Sequence, residues 1–185
     1  MTDFTAQETR TLGEEYDRLD AELDAGVDPI LNADDLDETE TGASIVQSVS
    51  TTQAALGGVS LLINGNDRGF DGYDRDAEVT VEGLTAGGFA KVDDWMADVQ
   101  AHNDGPGDNP GTRRNVWVAA GLVDAPFLEP GELSGGDPFE DKVATVAELP
   151  EGVAKWLYEW IDDLTTLGRQ DFRSFSERLK AAQEG

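Results

Sequence analysis

The sequence predicts a mainly α fold: a small helical domain with a short β-hairpin or strand pair near residues 59–82. Three observations carry that prediction. Apolar residues recur at helical spacing over most of the chain, most regularly at Val153, Trp156, Leu157, Trp160, Ile161 and Leu164. Gly, Pro and Asp/Asn clusters fall between these segments, as in HNDGPGDNPG (102–111). Period-two alternation is confined to EVTVEGL (78–84), where Val79 and Val81 share one face.

In order along the chain, residues 4–25 read as a helix with Leu12, Tyr16, Leu19 and Leu23 on one narrow stripe, closed by Gly26 and Pro29. A stripe this narrow suits a helix lying on its own domain or a seam for self-association. Residues 28–42 are rich in acids and hold no base, which reads as a solvated linker. The division predicted is therefore 1–42, an amphipathic helix with its linker, and 43–185, a mainly helical core domain.

A second helix spans 44–57, Gly57-Gly58 breaks it, and VSLLI (59–63) is a buried strand or the end of that helix. With the turn-rich loop 64–78 and the strand at 79–81 it makes the expected hairpin. Thr85 caps a helix through Ala101 that presents Phe89, Val92, Trp95, Met96 and Val99. Thr112 caps a shorter helix with Val116, Trp117 and Ala120, ending near Gly121. Residues 122–138 are extended. Asp137 and Pro138 open a helix over 138–147. The helix 150–167 stops at Gly168, and a last helix, 169–182, carries Phe172, Phe175 and Leu179.

Composition excludes several chemistries. There is no cysteine, so disulfides and thiolate sites are out, and the one histidine, His102, cannot build a His-rich metal site. No apolar run approaches the ~20 residues of a membrane span, and the N-terminus lacks a signal-peptide pattern. With 39 acidic and 13 basic residues the formal charge is −26. Clustered bases for phosphate contacts are missing, Arg113-Arg114 being the one adjacent pair, so no nucleic-acid partner is expected. Carboxylates this dense with only four lysines suit a salt-loaded cytoplasm, where a Debye length of ~3 Å at 1 M removes most self-repulsion.

No catalytic site emerges, and no cofactor or metal is expected. Counted from Asp67, the loop to Glu78 places Asp71, Gly72 and Glu78 at positions five, six and twelve of an EF-hand. Gly69 at position three and Asp74 at position eight break the pattern, so a solvated acidic turn is the better reading. The serines lack an elbow context and the glycine pairs lack a phosphate-loop spacing. The tryptophans are more telling. Trp95, Trp117, Trp156 and Trp160 all lie on apolar helix faces, forming a shared core or lining a groove for a partner helix.

Three phrases occur in order from residue 79: VTVEGLT (79–85) leading into AGGFAKVDDWMADV, then AAGLVDAPFL (119–128), then LPEGVAKWLYEWIDDLTTLG (149–168). Over about residues 78–170 this order resembles the tail assembly chaperones of long-tailed (siphovirus-like) viruses, here of a haloarchaeal tailed virus. The Asp-Ala-Pro at 124–126 departs from the family's acid-proline contact, and the N-terminal helix and linker have no counterpart. The resemblance implies a non-enzymatic protein of the host cytoplasm that keeps the tape-measure protein, or another tail protein, soluble during tail-tube assembly. The partner-binding residues it suggests are Trp156, Trp160 and Ile161, with Phe89, Trp95 and Trp117 as groove or core neighbours. Two other readings stand beside it: a structural virion component such as a tail or head–tail connector subunit, and a small acidic binding protein of a halophilic host.

Overall fold

The computed structural model describes residues 6–31, 40–66, 70–102, 110–128 and 137–166. Their order is β1 (Gln7–Thr11), α1 (Leu12–Leu31), α2 (Glu40–Asn64), β2 (Glu78–Glu82), α3 (Ala86–His102), α4 (Pro110–Gly121), β3 (Leu122–Asp124) and α5 (Pro138–Glu148). A sixth helix, α6, spans 151–166. The fold is mainly α with a small three-stranded sheet, as the sequence predicts. The predicted helix over 169–182 falls outside the described residues, as does most of the predicted linker.

The strand pairing differs from the predicted hairpin. Residues 59–63 are helical and complete α2, and β2 pairs instead with β1 and β3, in the order β1-β2-β3. The physical reason lies in Gly58, which is not a break. A Cβ on Gly58 would meet the carbonyl carbon of Gly152 at 2.5 Å, and one on Gly152 would meet the Ala54 carbonyl oxygen at 2.5 Å. Both glycines are there so that α2 and the start of α6 can touch backbone to backbone.

The chain divides into two compact units: Met1–Thr9, Thr80–Glu148 and Leu157–Gly185 form the first, Arg10–Val79 and Leu149–Trp156 the second. Helices α1 and α2, on either side of residues 42/43, pack together in the second unit. Helix α1 also starts later and ends later than expected. Thr11 is its cap: the Glu14 amide donates to Thr11 Oγ1 at 3.1 Å, and the Thr11 amide donates to Glu14 Oε2 at 3.2 Å, a reciprocal capping box. The helix runs through Gly26, where a Cβ would crowd Val49 of α2 at 3.1 Å. Leu12, Leu19, Val59 and Leu62 are buried in this unit.

In the first unit Thr9 and Thr80 share a hydroxyl–hydroxyl bond of 2.8 Å across β1 and β2. Strand β3 runs antiparallel to β2, with Thr80 opposite Asp124 and Val81 opposite Leu122. Thr85 caps α3 by accepting from the Gly88 amide at 3.0 Å, and Asp137 caps α5 by accepting from the Phe139 amide at 2.9 Å. The later turns of α6 fill the centre of this unit. A Cβ on Gly121 would meet Ile161 Cγ2 at 2.5 Å, so the end of α4 is cut away to seat that side chain. Among the described residues no helix is long and apolar enough to cross a membrane.

The glycine contact can be tested against its neighbour. Gly58→Ala should cost about 1–3 kcal/mol by forcing apart two backbones in contact. Gly57→Ala, next to it in the same helix with nothing within 4 Å, should instead stabilise by about 0.5–1 kcal/mol through backbone entropy. Opposite shifts of the two denaturation midpoints are the expected result.

Candidate functional site

Trp156, Trp160 and Ile161 belong to the interior, at 2%, 5% and 0% exposure. Each indole N–H is taken up by a carboxylate from the N-terminal part of the chain. Trp156 Nε1 donates to Glu15 Oε1 at 2.8 Å in the second unit, and Trp160 Nε1 donates to Glu8 Oε2 at 2.8 Å in the first. In this conformation the regular stripe of α6 offers no surface to a partner.

A half-buried aromatic cluster lies elsewhere in the first unit. The Phe89 and Trp117 rings stand edge to face at 5.1 Å, and Trp117 and Tyr158 follow at 5.9 Å. Phe89 is on α3, Trp117 on α4 and Tyr158 on α6, and all three are half-buried. One turn further along α3 and one turn back along α4, Asp93 meets Arg113 at 3.7 Å, so the two helices run antiparallel beneath the rings. Trp117 Nε1 is buried and has no hydrogen-bond partner among the described residues. An indole N–H left so costs about 1–3 kcal/mol, which is unusual for a ring with a settled place in a core. Trp95 is half-buried on the same helix as Phe89 but is not part of this ring series.

Tyr158 was not among the residues the sequence singled out. The signal was an aromatic lying off the Val153–Leu164 stripe, on the otherwise polar side of α6.

The second feature missed is Glu15, a carboxylate 1% exposed. Arg18 grips it through both oxygens, Nε to Oε2 at 2.9 Å and Nη2 to Oε1 at 2.6 Å. Arg10 Nη1 adds a bond to Oε2 at 2.7 Å and Trp156 the fourth. Burial alone pushes the Glu15 carboxyl up, but the hydrogen bonds from Arg18, Arg10 and Trp156 together outweigh it and hold the group below the usual carboxylate range. Its place was legible, since Glu15 sits within the Leu12–Leu19 stripe with Arg18 one turn on. The arrangement has no room for a substrate: every lone pair is engaged by the chain itself.

The Asp67–Glu78 loop is likewise used for structure. Gly72 takes a left-handed φ of +80°, Asp74 Oδ1 accepts from the Asp76 amide at 3.1 Å, and Arg75 reaches α1 to pair with Asp17 at 2.7 Å. Glu78 opens β2 rather than a helix, and Asp67 lies outside the described residues. No group of three or more His, Asp or Glu among the described residues could hold a metal ion. Elsewhere in the first unit, Lys142 is half-buried and its Nζ donates to the Leu122 carbonyl at 2.6 Å. Burial pushes this ammonium below the usual lysine range, against the pull of Glu82.

No family model, curated protein or solved structure matches the chain.

The Glu15 group has a definite pH signature. A carboxyl with a depressed folded-state value contributes stability that is fully present above its unfolded value near 4.3 and disappears as pH falls through the folded value. Glu15→Gln should therefore cost about 3 kcal/mol near neutral pH, at the low end for a broken buried pair because Arg18 is partly solvated. The gap from the parent should close progressively below about pH 4. Trp156→Phe, which removes one donor of four, should cost only about 1 kcal/mol. Equilibrium denaturation across pH 3–8 measures all three.

Proposed function

We propose that this protein is a non-enzymatic tail assembly chaperone, binding an amphipathic helix of a tape-measure protein and keeping it soluble in a salt-rich host cytoplasm. The observation that carries the reading is the half-buried ring series Phe89–Trp117–Tyr158, built on three helices. A client helix lays apolar side chains across such a surface, and the acids around it keep the complex dispersed. The sequence phrases of the resemblance support the same reading. VTVEGLT runs from β2 to the Thr85 cap of α3, AAGLVDAPFL joins α4 to β3, and the LPEGV entry opens α6. The seat proposed now is Phe89, Trp117 and Tyr158, and Trp160 and Ile161 lie in the interior of the same unit.

A virion structural role has one observation in its favour. Val123, on the edge strand β3, is 39% exposed, and among the described residues it is the exposed large hydrophobic one. An exposed edge of this kind can add a strand from a neighbouring subunit.

Two measurements separate the readings. Quantitative mass spectrometry of infected-cell lysate and purified virions should find the protein abundant in lysate and absent from particles. A fixed copy number in virions would instead identify a subunit. In pull-downs of the tape-measure protein in molar salt, Tyr158→Glu should fold normally and lose about 2 kcal/mol of binding, roughly thirtyfold. Trp160→Glu should fail to fold, because it puts a charge into a filled interior beside Glu8.

A further inference from the structure

We propose that this protein pairs with a second copy of itself through the exposed face of α2, the two helices crossing antiparallel at Gly57. The contact lies in the second unit and is independent of the aromatic seat in the first.

Charge marks this face out. Residues 41–66 are the longest charge-free run of the chain, where its average of 28% would place about seven charged residues. Helix α1, packed beside α2 in the same unit, shows what is ordinary for this protein. Its exposed positions include Glu14, Asp17, Arg18, Asp20, Glu22 and Asp24. Those of α2 whose side chains are described are Gln47, Ser48, Ser50, Gln53, Gly57 and Asn64, none of them charged. Burial does not account for the difference. Helix α2 buries Thr52, Ala55, Val59 and Leu62 on one side and leaves Ser50, Gln53, Gly57 and Asn64 in line on the other, at spacings of three, four and seven.

Gly57 is a separate sign. A Cβ there would meet nothing within 4 Å, so its own unit has no use for a glycine, although glycine in mid-helix is destabilising. The neighbouring Gly58 shows what such a residue permits, a direct backbone approach to Gly152; Gly57 offers the same approach on the outward side. The occupant follows from charge. Two chains at −26 repel across their acidic surfaces, and they can come together where neither carries charge. A twofold contact sets each face against its own copy, and Ser, Gln and Asn suit this because each both donates and accepts hydrogen bonds. With the helices antiparallel about Gly57, Ser50 lies opposite Asn64 of the partner subunit, both seven residues from the crossing. Charges flank the face without lying on it. Lys155 Nζ donates to Thr51 Oγ1 at 3.1 Å on one border, and α1 lies along the other, where Gly26 meets Val49. At ~1.5 Å per residue the contact is about 20 Å long. One helix face of that length buries less than the roughly 800 Å² per partner of a standard interface, so the pairing is weak and needs salt to screen the surrounding acids.

Sedimentation equilibrium of the full-length protein over a range of potassium chloride concentrations tests the pairing. In molar salt the parent should dimerise with a dissociation constant of roughly 0.1–1 mM, and the association should strengthen as salt is raised. Gln53→Glu should weaken it about tenfold or more by setting two like charges in the contact. Ala21→Glu, which adds the same charge on the exposed side of α1, should leave it within about twofold. Both positions are exposed, so both variants should keep the parent's denaturation midpoint at micromolar concentration. Gly57→Ala should weaken the dimer about tenfold while stabilising the monomer, a split that a purely structural glycine would not give. A parent that stays monomeric at millimolar concentration in molar salt would overturn the proposal. Equal effects of Gln53→Glu and Ala21→Glu would place the contact on another surface and overturn it too. Association that weakens as salt rises would point to ion pairs, with the same consequence. If the parent does not self-associate and Gln53→Glu abolishes capture of the tape-measure protein, the face belongs to that client and the self-pairing falls.

Discussion

Two indole N–H groups four residues apart on α6 each end on a carboxylate from the first fifteen residues, and the interior of each unit is organised around one of these bonds. Trp156 meets Glu15 in the second unit and Trp160 meets Glu8 in the first. An indole is well suited to this duty in a strongly acidic chain. It brings a large apolar body to a core while satisfying a carboxylate without consuming one of the few cations. Glu15 is the costlier of the two, since it is closed off from water. Two guanidiniums, of the nine arginines in the chain, are committed to it in addition to the indole.

That commitment also separates two kinds of acid. Surface carboxylates of this chain repel one another over distances that salt screens, so their cost falls as ionic strength rises. The Glu15 contacts are shorter than 3 Å and end on a carboxylate that is itself buried, so screening weakens them less than it weakens the surface repulsion. Added salt therefore relaxes the surface more than it weakens the internal pairing. Among the described residues the acids are mostly solvent-facing, whereas Glu15, which composition does not distinguish from the other 38, is buried.

Helices α3, α5 and α6 were legible because caps and periodicity agreed: Thr85, Asp137 and the unbroken stripe of α6 each point to the same element. Strand β1 was not, because QETRT has no apolar alternation and becomes a strand by pairing with β2. Its boundary with α1 was nonetheless written in Thr11 and Glu14 as a capping box. Gly57-Gly58 misled for a physical reason: a glycine pair reads as a break from sequence alone, yet one of the two serves a close approach to Gly152, a residue some ninety positions away. The six residues first associated with binding separate on the same ground. A stripe regular enough to be read from sequence is regular because it is buried, so Trp156, Trp160 and Ile161 fill the interior. The reachable rings include Tyr158, which broke the pattern.

The partial burial of those rings has a consequence for the proposed role. A factor that holds a helix only until a tube closes around it must bind by an amount that polymerisation can overcome. Burying several aromatic and aliphatic side chains completely would yield a complex too stable to release its client, whereas three half-buried rings retain only part of their area for binding, at about 25 cal/mol per Å² of apolar surface removed from water. Association costs and the ordering of the client helix offset much of that gain. In the proposed role the outcome is binding weak enough to be reversed when the tube closes.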